Sequence, residues 1–258
     1  MPRATRPKVS VCIIARDEAR VLPRCLESLR GAYDELCVLD TGSADATPRI
    51  AKEYGARLAV FTGCNDREGR MADFALARNK CLRMAKGDWI LSIDADEVLL
   101  KSSVERVRWH AAHDAAAGVR INMRHRGSEW PVVRLFRRSP ENVFVGRVHE
   151  WVSVAGEVSD DPAVVIRNLP DKRGKESAVA RDLRLCALAL EDEPGNLRMI
   201  FYMARALRRA GDYDAAIGYY ERYLEIEKEF APGRHACAHG IAVCHMLSGR
   251  WRRAVSAG

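Results

Sequence analysis

From residue 8 to residue 93, short apolar segments alternate with segments of helical periodicity. The apolar segments are KVSVCIIA (8–15), ELCVLD (35–40), RLAVF (57–61) and DWILSI (88–93). They are apolar on both faces, as strands buried inside a parallel sheet are. The segments between them, 17–30, 45–54 and 71–85, have helical spacing, and glycines follow them as stop signals. The alternation predicts a parallel α/β sheet with helical crossovers, in which ligands bind beyond the carboxyl ends of the strands.

The pattern changes twice further along the chain. From Val119 onward it consists of short strand-like segments without intervening helices, which predicts a mixed or antiparallel extension of the sheet. After Pro170 a polar linker leads into an all-helical region that begins near Ala178. We therefore expect two domains, 1–170 and 171–258.

The helical region repeats itself. Residues 191–217 align with residues 228–255 at an offset that carries Gly211 to Gly249 and Tyr213 to Trp251. Helix pairs joined by a Gly-x-aromatic turn resemble tetratricopeptide (TPR) repeats. Because the second unit stops at Gly258, early in its second helix, we expect a chain that is truncated or that continues natively into further repeats.

Composition restricts which classes of protein this chain can belong to. The eight cysteines form no CxxC pair, and no apolar run approaches the ~18 residues of a membrane span. We expect reduced thiols and a cytoplasmic location, with membrane contact that is at most peripheral. The net charge of +7 is spread along the chain, with one local excess of arginine over two glutamates. Those arginines are Arg120, Arg124, Arg126, Arg134, Arg137, Arg138 and Arg147. This arginine strip either attracts anions or is a solvated face of the sheet. Because the chain has no recognised nucleic-acid-binding motif, we expect no nucleic-acid partner.

The segment WILSIDADEVL (89–99) ends a predicted buried strand in acidic residues. In an extended turn Asp94 and Asp96 point the same way, and two such carboxylates suit a hard divalent cation, Mg²⁺ or Mn²⁺. Purely structural roles are also possible for the other polar residues. Asp40 and Ser43 are suited to capping the following helix, and His149 to a structural role.

Four motifs in a fixed order carry a resemblance to a known family. They are VCIIARDE (11–18), VLDTGSADAT (38–47), ALARNKCLRMAKGDWILSIDADE (75–97), and RLFRR (134–138) with FVGRVHE (144–150). This set, within about residues 8–155, is similar to the family 2 glycosyltransferases of GT-A fold. The attached repeats look like the subgroup with a C-terminal TPR region. The resemblance implies a GT-A nucleotide-diphospho-sugar transferase fold with a mixed, mainly parallel sheet, followed by an all-α TPR-like region.

The resemblance also assigns roles at the nucleotide-sugar pocket. Asp40 would accept a hydrogen bond from the base, commonly uracil, with Ser43 in the loop beside it, and Arg78 would face the donor phosphates. The expected nucleotide-sugar site is Ala15, Arg16, Glu18, Asp40, Ser43, Arg78, Asp94 and Ala95.

Metal binding and catalysis follow from the same resemblance. Asp96 would be the direct metal ligand, with Asp94 and His149 completing the metal or diphosphate site. Glu150 is the first candidate for the catalytic base and Glu97 the second, because the xED motif of many relatives is not evident here.

The expected activity is metal-dependent transfer of a sugar from a nucleotide-diphosphate donor, a UDP-sugar, with inversion. The acceptor would be a peptide, a protein or a cell-surface glycan, and the repeats would bind it or mediate self-association or assembly with a protein partner. The alternative is a non-catalytic nucleotide-binding adaptor that binds a partner through its repeats. A nicotinamide enzyme is disfavoured, since ARDEAR (15–20) stands where G-x-G-x-x-G is needed, and no P-loop motif is present.

Overall fold

Residues 6–171 and 173–250 are described by the computed structural model, and they divide into two units after Asp171. The first unit opens with the predicted alternation. Its elements are β1 (Val9–Ala15), α1 (Leu22–Ser28), β2 (Glu35–Asp40), α2 (Thr47–Glu53), β3 (Arg57–Val60), α3 (Phe74–Leu82) and β4 (Trp89–Ser92). The helices are shorter than their periodicity predicts, because the residues after each strand form loops: 16–21 follow β1 and 41–46 follow β2.

The rest of this unit completes a mixed sheet. Its elements are β5 (Glu97–Leu99), a 3₁₀ turn (Lys101–Ser103), α4 (Val104–His113), β6 (Gly118–His125), β7 (Ser128–Arg137), β8 (Val143–Val145), β9 (Trp151–Ser153) and β10 (Val158–Asn168). The eight-stranded sheet has the order β3-β2-β1-β4-β7-β6-β10-β5, and β8 pairs separately with β9. The sequence pattern does not predict β5, α4 or β10.

The directions of the strands determine which strand ends lie at the same edge of the sheet. β1 runs parallel to β2 and to β4, and β7 is antiparallel to both β4 and β6. β6 and β10 are parallel. The carboxyl ends of β1, β2, β4, β6 and β10 therefore lie along one edge of the sheet, which we call the carboxyl edge.

The apolar runs of the central strands are explained by cores on both faces. Val11 and Ile13 of β1 pack with Leu26 of α1 in one cluster. Cys12 of the same strand packs with Cys81 of α3 in the other. Side chains alternate along a strand, so a strand covered on both sides must be apolar at every position.

The second unit is helical. It contains α5 (Ala178–Asp192), α6 (Leu197–Ala210), α7 (Tyr213–Ile226) and α8 (Ala231–Leu247), each packed on the next. Gly211 ends α6 with a φ of 88°, and its repeat equivalent Gly249 has a φ of 77°, a conformation that favours glycine. The repeat positions Trp251, Ala254 and Val255 lie outside the described residues. None of the described helices is both long enough and apolar enough to cross a membrane.

Packing of α7 on α8 depends on the absence of a side chain at Gly240. A Cβ there would lie 2.5 Å from Cζ of Tyr220, whose side chain is buried. We expect Gly240→Ala to lower the free energy of unfolding by about 2 kcal/mol, through overpacking, as measured by chemical denaturation. Gly218→Ala is the matched control, because a Cβ at that helical glycine of α7 meets nothing within 4 Å. Equal stability of the two variants would contradict the prediction.

Candidate active site

The loops that follow β1 and β2 are bonded to each other at the carboxyl edge. The amide of Asp17 donates to Oγ of Ser43 at 2.9 Å, and the amide of Ala44 donates back to Oδ1 of Asp17 at 2.8 Å. The amide of Glu18 donates to Oγ1 of Thr47 at 2.7 Å. These bonds hold the two loops as one wall, which brings the predicted residues Glu18 and Ser43 together.

Asp40 lies at the base of this wall. The residue is 2% exposed, and its carboxylate accepts hydrogen bonds from the amides of Gly42 at 3.2 Å and Ser43 at 3.1 Å. A carboxylate has about four lone-pair sites, so these bonds leave capacity for a ligand. Neither Asp40 nor Ser43 caps α2, whose N-cap is Ala46 and has no side-chain cap bond. The capping alternative therefore does not account for these two residues.

Ala15 and Arg16 connect the wall to its surroundings. The carbonyl of Ala15 accepts the amide of Thr41 at 2.9 Å. The guanidinium of Arg16 donates to the carbonyl of Gly69, in the loop between β3 and α3. All the predicted residues from the first two motifs thus lie around the ends of β1 and β2, and their nucleotide-binding roles stay predictions.

Arg78 of α3 joins two distant segments of the chain. Its Nη2 lies 2.7 Å from Oδ1 of Asp94, and its Nε donates to Oε1 of Glu150 at 2.6 Å. The side chain is 7% exposed and lies over the ring of Phe144, 5.3 Å from its centroid. The neighbouring Asn79 fixes β8 against α3, because its side chain exchanges hydrogen bonds with the backbone of Phe144 at 2.8 and 2.7 Å. The sequence pattern predicts no role for Asn79, although this residue lies in the ALARNK segment next to Arg78.

A second arginine approaches Asp94 from β7, the strand next to β4 in the sheet. Nη2 of Arg134, in β7, lies 3.4 Å from Oδ2 of Asp94 and 3.5 Å from Oε1 of Glu97. Oε2 of Glu97 accepts the amide of Asp94 at 2.8 Å. The Glu97 side chain is 1% exposed. It therefore holds the backbone of Asp94 in place and is not accessible at the carboxyl edge. In the sequence Arg134 stands out only as a member of the arginine strip and as the first residue of the RLFRR motif.

These contacts shift the pKa values of Asp94 and Glu97 in opposite directions. Burial alone would raise the pKa of Asp94, but Arg78 and Arg134 outweigh it and hold that pKa well below its usual range. Burial, reinforced by the negative charge of Asp94, raises the pKa of Glu97 to about 7. Burial of Arg78 is likewise outweighed by Asp94 and Glu150, which raise its pKa. Asp94 is therefore a fixed anion between two fixed cations.

The expected metal ligands do not form a three-residue cluster. Among residues 6–171 and 173–250, no group of three or more His, Cys, Asp or Glu side chains is arranged to hold an ion. The reason at Asp94 is that both of its oxygens face guanidinium groups. Asp96 and His149 are both half-buried, and Arg78 places the neighbour of His149, Glu150, beside the end of β4. A carboxylate and an imidazole suit Mn²⁺ as a partial ligand set that substrate oxygens would complete.

The backbone at His149 is strained. Its φ of 51° lies in the left-handed region, which costs a non-glycine residue of order 1–3 kcal/mol and occurs disproportionately at functional sites. The hairpin loop between β8 and β9 therefore holds His149 and Glu150 in a defined conformation at the carboxyl edge.

The arginine strip does not form one surface. Arg120 pairs with Asp160 at 2.7 Å and Arg124 with Glu129, whereas Arg134 enters the site described above. Arg137 and Arg138 donate to backbone carbonyls. Arg126 has no ion pair or side-chain hydrogen bond within the described part of the chain. The solvated-face reading is therefore correct for only part of the strip.

Comparison with known proteins gives a family match and several relatives. The family described as "Glycosyl transferase family 2" matches residues 10–164, more than half of the chain. A TPR repeat-containing protein of Synechococcus elongatus is 42% identical over 153 residues, covering 58% of this chain and 36% of the relative. The SPbeta prophage-derived glycosyltransferase SunS of Bacillus subtilis is 26% identical over 259 residues, covering 95% of this chain and 60% of the relative. The chain thus matches less than two thirds of the length of either relative.

Solved structures share the fold at low identity. The structure of S. aureus TarS 1–349 in complex with UDP has a TM-score of 0.52 at 13% identity, covering 96% of this chain and 88% of that one. The mannosyltransferase PcManGT of Pyrobaculum calidifontis, in complex with GDP-Man and Mn²⁺, has a TM-score of 0.50 at 18% identity, covering 98% and 86%. The expected fold is confirmed: a GT-A mixed sheet followed by a helical region.

Proposed function

Because this chain belongs to glycosyltransferase family 2, we propose that it transfers a sugar from a UDP-sugar to an acceptor at the carboxyl edge. The observation that carries the proposal is the buried Arg78, which joins Asp94 and Glu150. This contact joins a fixed anion just beyond the end of β4 to Glu150, the neighbour of the strained His149. Because β4 pairs with β1 and β1 with β2, we assign the nucleotide to the ends of β1 and β2 and the chemistry to the end of β4.

On the donor side, we assign the base to Asp40 and the wall formed by the loops after β1 and β2. The UDP in the TarS structure supports uridine as the base to test first. The Mn²⁺ in the PcManGT structure supports a divalent cation, which Asp96 and His149 would hold here. When bound, such a cation supplies positive charge that stabilises a diphosphate leaving group.

On the acceptor side, we assign the proton transfer to Glu150. Its Oε1 is held by Arg78, which orients the carboxylate and leaves Oε2 to accept a proton. The acceptor oxygen or sulfur forms a bond to the anomeric carbon, the bond from that carbon to the diphosphate oxygen breaks, and Glu150 takes the acceptor's proton. Attack on the face opposite the leaving group inverts the configuration.

We assign recognition of a peptide or protein acceptor, or of a protein partner, to the helical unit. TPR-like helix pairs bind partners through the surfaces that their stacking creates, and one relative is named for such repeats. The α6 helix presents Arg205 near the rings of Phe201 and Tyr202, at 5.8 and 5.7 Å.

The first experiment is calorimetric titration of UDP, GDP and CDP, with and without Mn²⁺. We expect UDP to bind in a Mn²⁺-dependent manner, and Asp96→Ala to lose the dependence because it removes a metal ligand. Asp160→Ala is the matched control, since Asp160 is an exposed carboxylate at the start of β10, away from the carboxyl edge. Both variants should retain the wild-type circular dichroism spectrum.

The alternative, a non-catalytic nucleotide-binding adaptor, makes a different prediction. It expects nucleotide binding without hydrolysis or transfer of any UDP-sugar. Absence of binding for all three nucleotides, with the protein folded, would reject the transferase proposal.

A further inference from the structure

A basic cavity of about 590 Å³ lies at the carboxyl edge, on the side of β6 and β10. Arg24 of α1 forms one wall, the turn between β6 and β7 forms another, and the residues that end β10 form the third. The lining residues are Arg24, Arg124–Gly127 and Arg167–Pro170.

The cavity carries an uncompensated positive charge. Among the described residues, its lining contains four arginines and His125 and no acidic side chain. Arg124 is paired with Glu129, and Arg24 donates to the carbonyl of Leu169 at 2.8 Å. Arg126 and Arg167 have no ion pair or side-chain hydrogen bond to any residue that the structure describes. Two guanidinium groups without a carboxylate partner, in one concave site, attract an anion with charge-assisted hydrogen bonds.

Residues that line the cavity are bonded to Asp96 and Glu97, which follow β4 at the proposed active site. The amide of Leu169, in its lining, donates to the carbonyl of Asp96 at 3.0 Å. The adjacent Asn168 is paired with Glu97 across β10 and β5. Because the proposed donor site occupies the ends of β1, β2 and β4, the cavity lies next to it on the side left for the acceptor.

We propose that this cavity binds an anionic group, a phosphate or a carboxylate, on the acceptor of the transfer reaction. The inference rests on the proposed function and specifies its acceptor class. A cavity of this size is in the range of small-molecule sites, so it takes the anionic group together with part of the molecule that bears the nucleophile.

A polyanion such as a nucleic acid fits less well. Such a ligand needs a continuous basic track, and the other arginines of the strip are engaged by Asp160, by Asp94 and by backbone carbonyls. The positive charge is confined to the cavity, which favours a compact anion.

The test titrates glycerol 3-phosphate, glycerate and neutral glycerol into the whole chain, in the presence of UDP and Mn²⁺. We expect one or both anions to bind and glycerol not to bind, with the preferred anion distinguishing phosphate from carboxylate chemistry. The double variant Arg126→Ala/Arg167→Ala should weaken anion binding by about tenfold or more and leave UDP affinity unchanged. Arg83→Ala is the matched control, because Arg83 is an exposed arginine at the end of α3 that forms no ion pair with any described residue.

Each other outcome is decisive. If UDP binds and neither anion does, the acceptor inference is rejected and the proposed function stands. If the double variant binds the anion as tightly as the wild type, the anion binds elsewhere and the inference is again rejected. If UDP itself fails to bind, the UDP-sugar donor is rejected, and the acceptor inference that rests on it is rejected with it.

Discussion

Replacement of Arg78 by methionine is expected to lower the free energy of unfolding by about 3–5 kcal/mol, the range for breaking a buried ion pair from one side, and to abolish UDP binding. Methionine fills much of the same volume but removes the cation between Asp94 and Glu150. Asp94 then keeps only the longer contact with Arg134, at 3.4 Å. Two carboxylates without their shared partner would repel each other at the centre of the site.

Two variants separate charge from geometry at this position. Arg78→Lys keeps the positive charge but cannot reach two carboxylates with one planar group, so we expect an intermediate loss of stability. Arg83→Met changes an exposed arginine just beyond the end of the same helix and should change stability by less than about 0.5 kcal/mol. Chemical denaturation and UDP titration measure the two effects. An Arg78→Met protein as stable as Arg83→Met would show that Arg78 does not hold the site together.

Glu150→Gln is expected to lower turnover by about 100- to 10,000-fold, the range for loss of a general base, with little change in stability or UDP affinity. The amide oxygen of glutamine can still accept the hydrogen bond from Nε of Arg78, so the hairpin loop keeps its place. It cannot take a proton from the acceptor. Turnover is measured as UDP release from the UDP-sugar that the wild-type protein consumes.

Glu97→Gln is the comparison that decides between the two candidate bases. The Glu97 side chain is buried beneath Asp94, and burial raises its pKa to about 7. Glutamine resembles its protonated form, so we expect turnover to remain within several-fold of the wild type. The reverse result, with Glu97→Gln inactive and Glu150→Gln active, would move the catalytic role to Glu97.

The sequence predicted the part of the fold that local pattern encodes. β1, β2 and β4 were recognisable because strands covered on both faces are apolar at every position, and Asp40 and Asp94 were recognisable as acids at their ends. Short or polar elements were not recognisable in this way. β5 has three residues, and β10 contains Asp160, Asp161 and Pro162, so neither has the pattern of a buried strand.

The sequence by itself determined which chemical groups this protein carries, where β1, β2 and β4 end, and that arginine is in excess between residues 120 and 147. Only the tertiary structure decided the partners of those arginines. Arg134 meets Asp94 because β7 lies beside β4, whereas Arg120 meets Asp160 because β6 lies beside β10. Arg126 and Arg167 line the same cavity because β6 lies beside β10, although the two residues are distant in sequence. Charge is a local property of a sequence, but its neutralisation depends on strand pairing between distant segments.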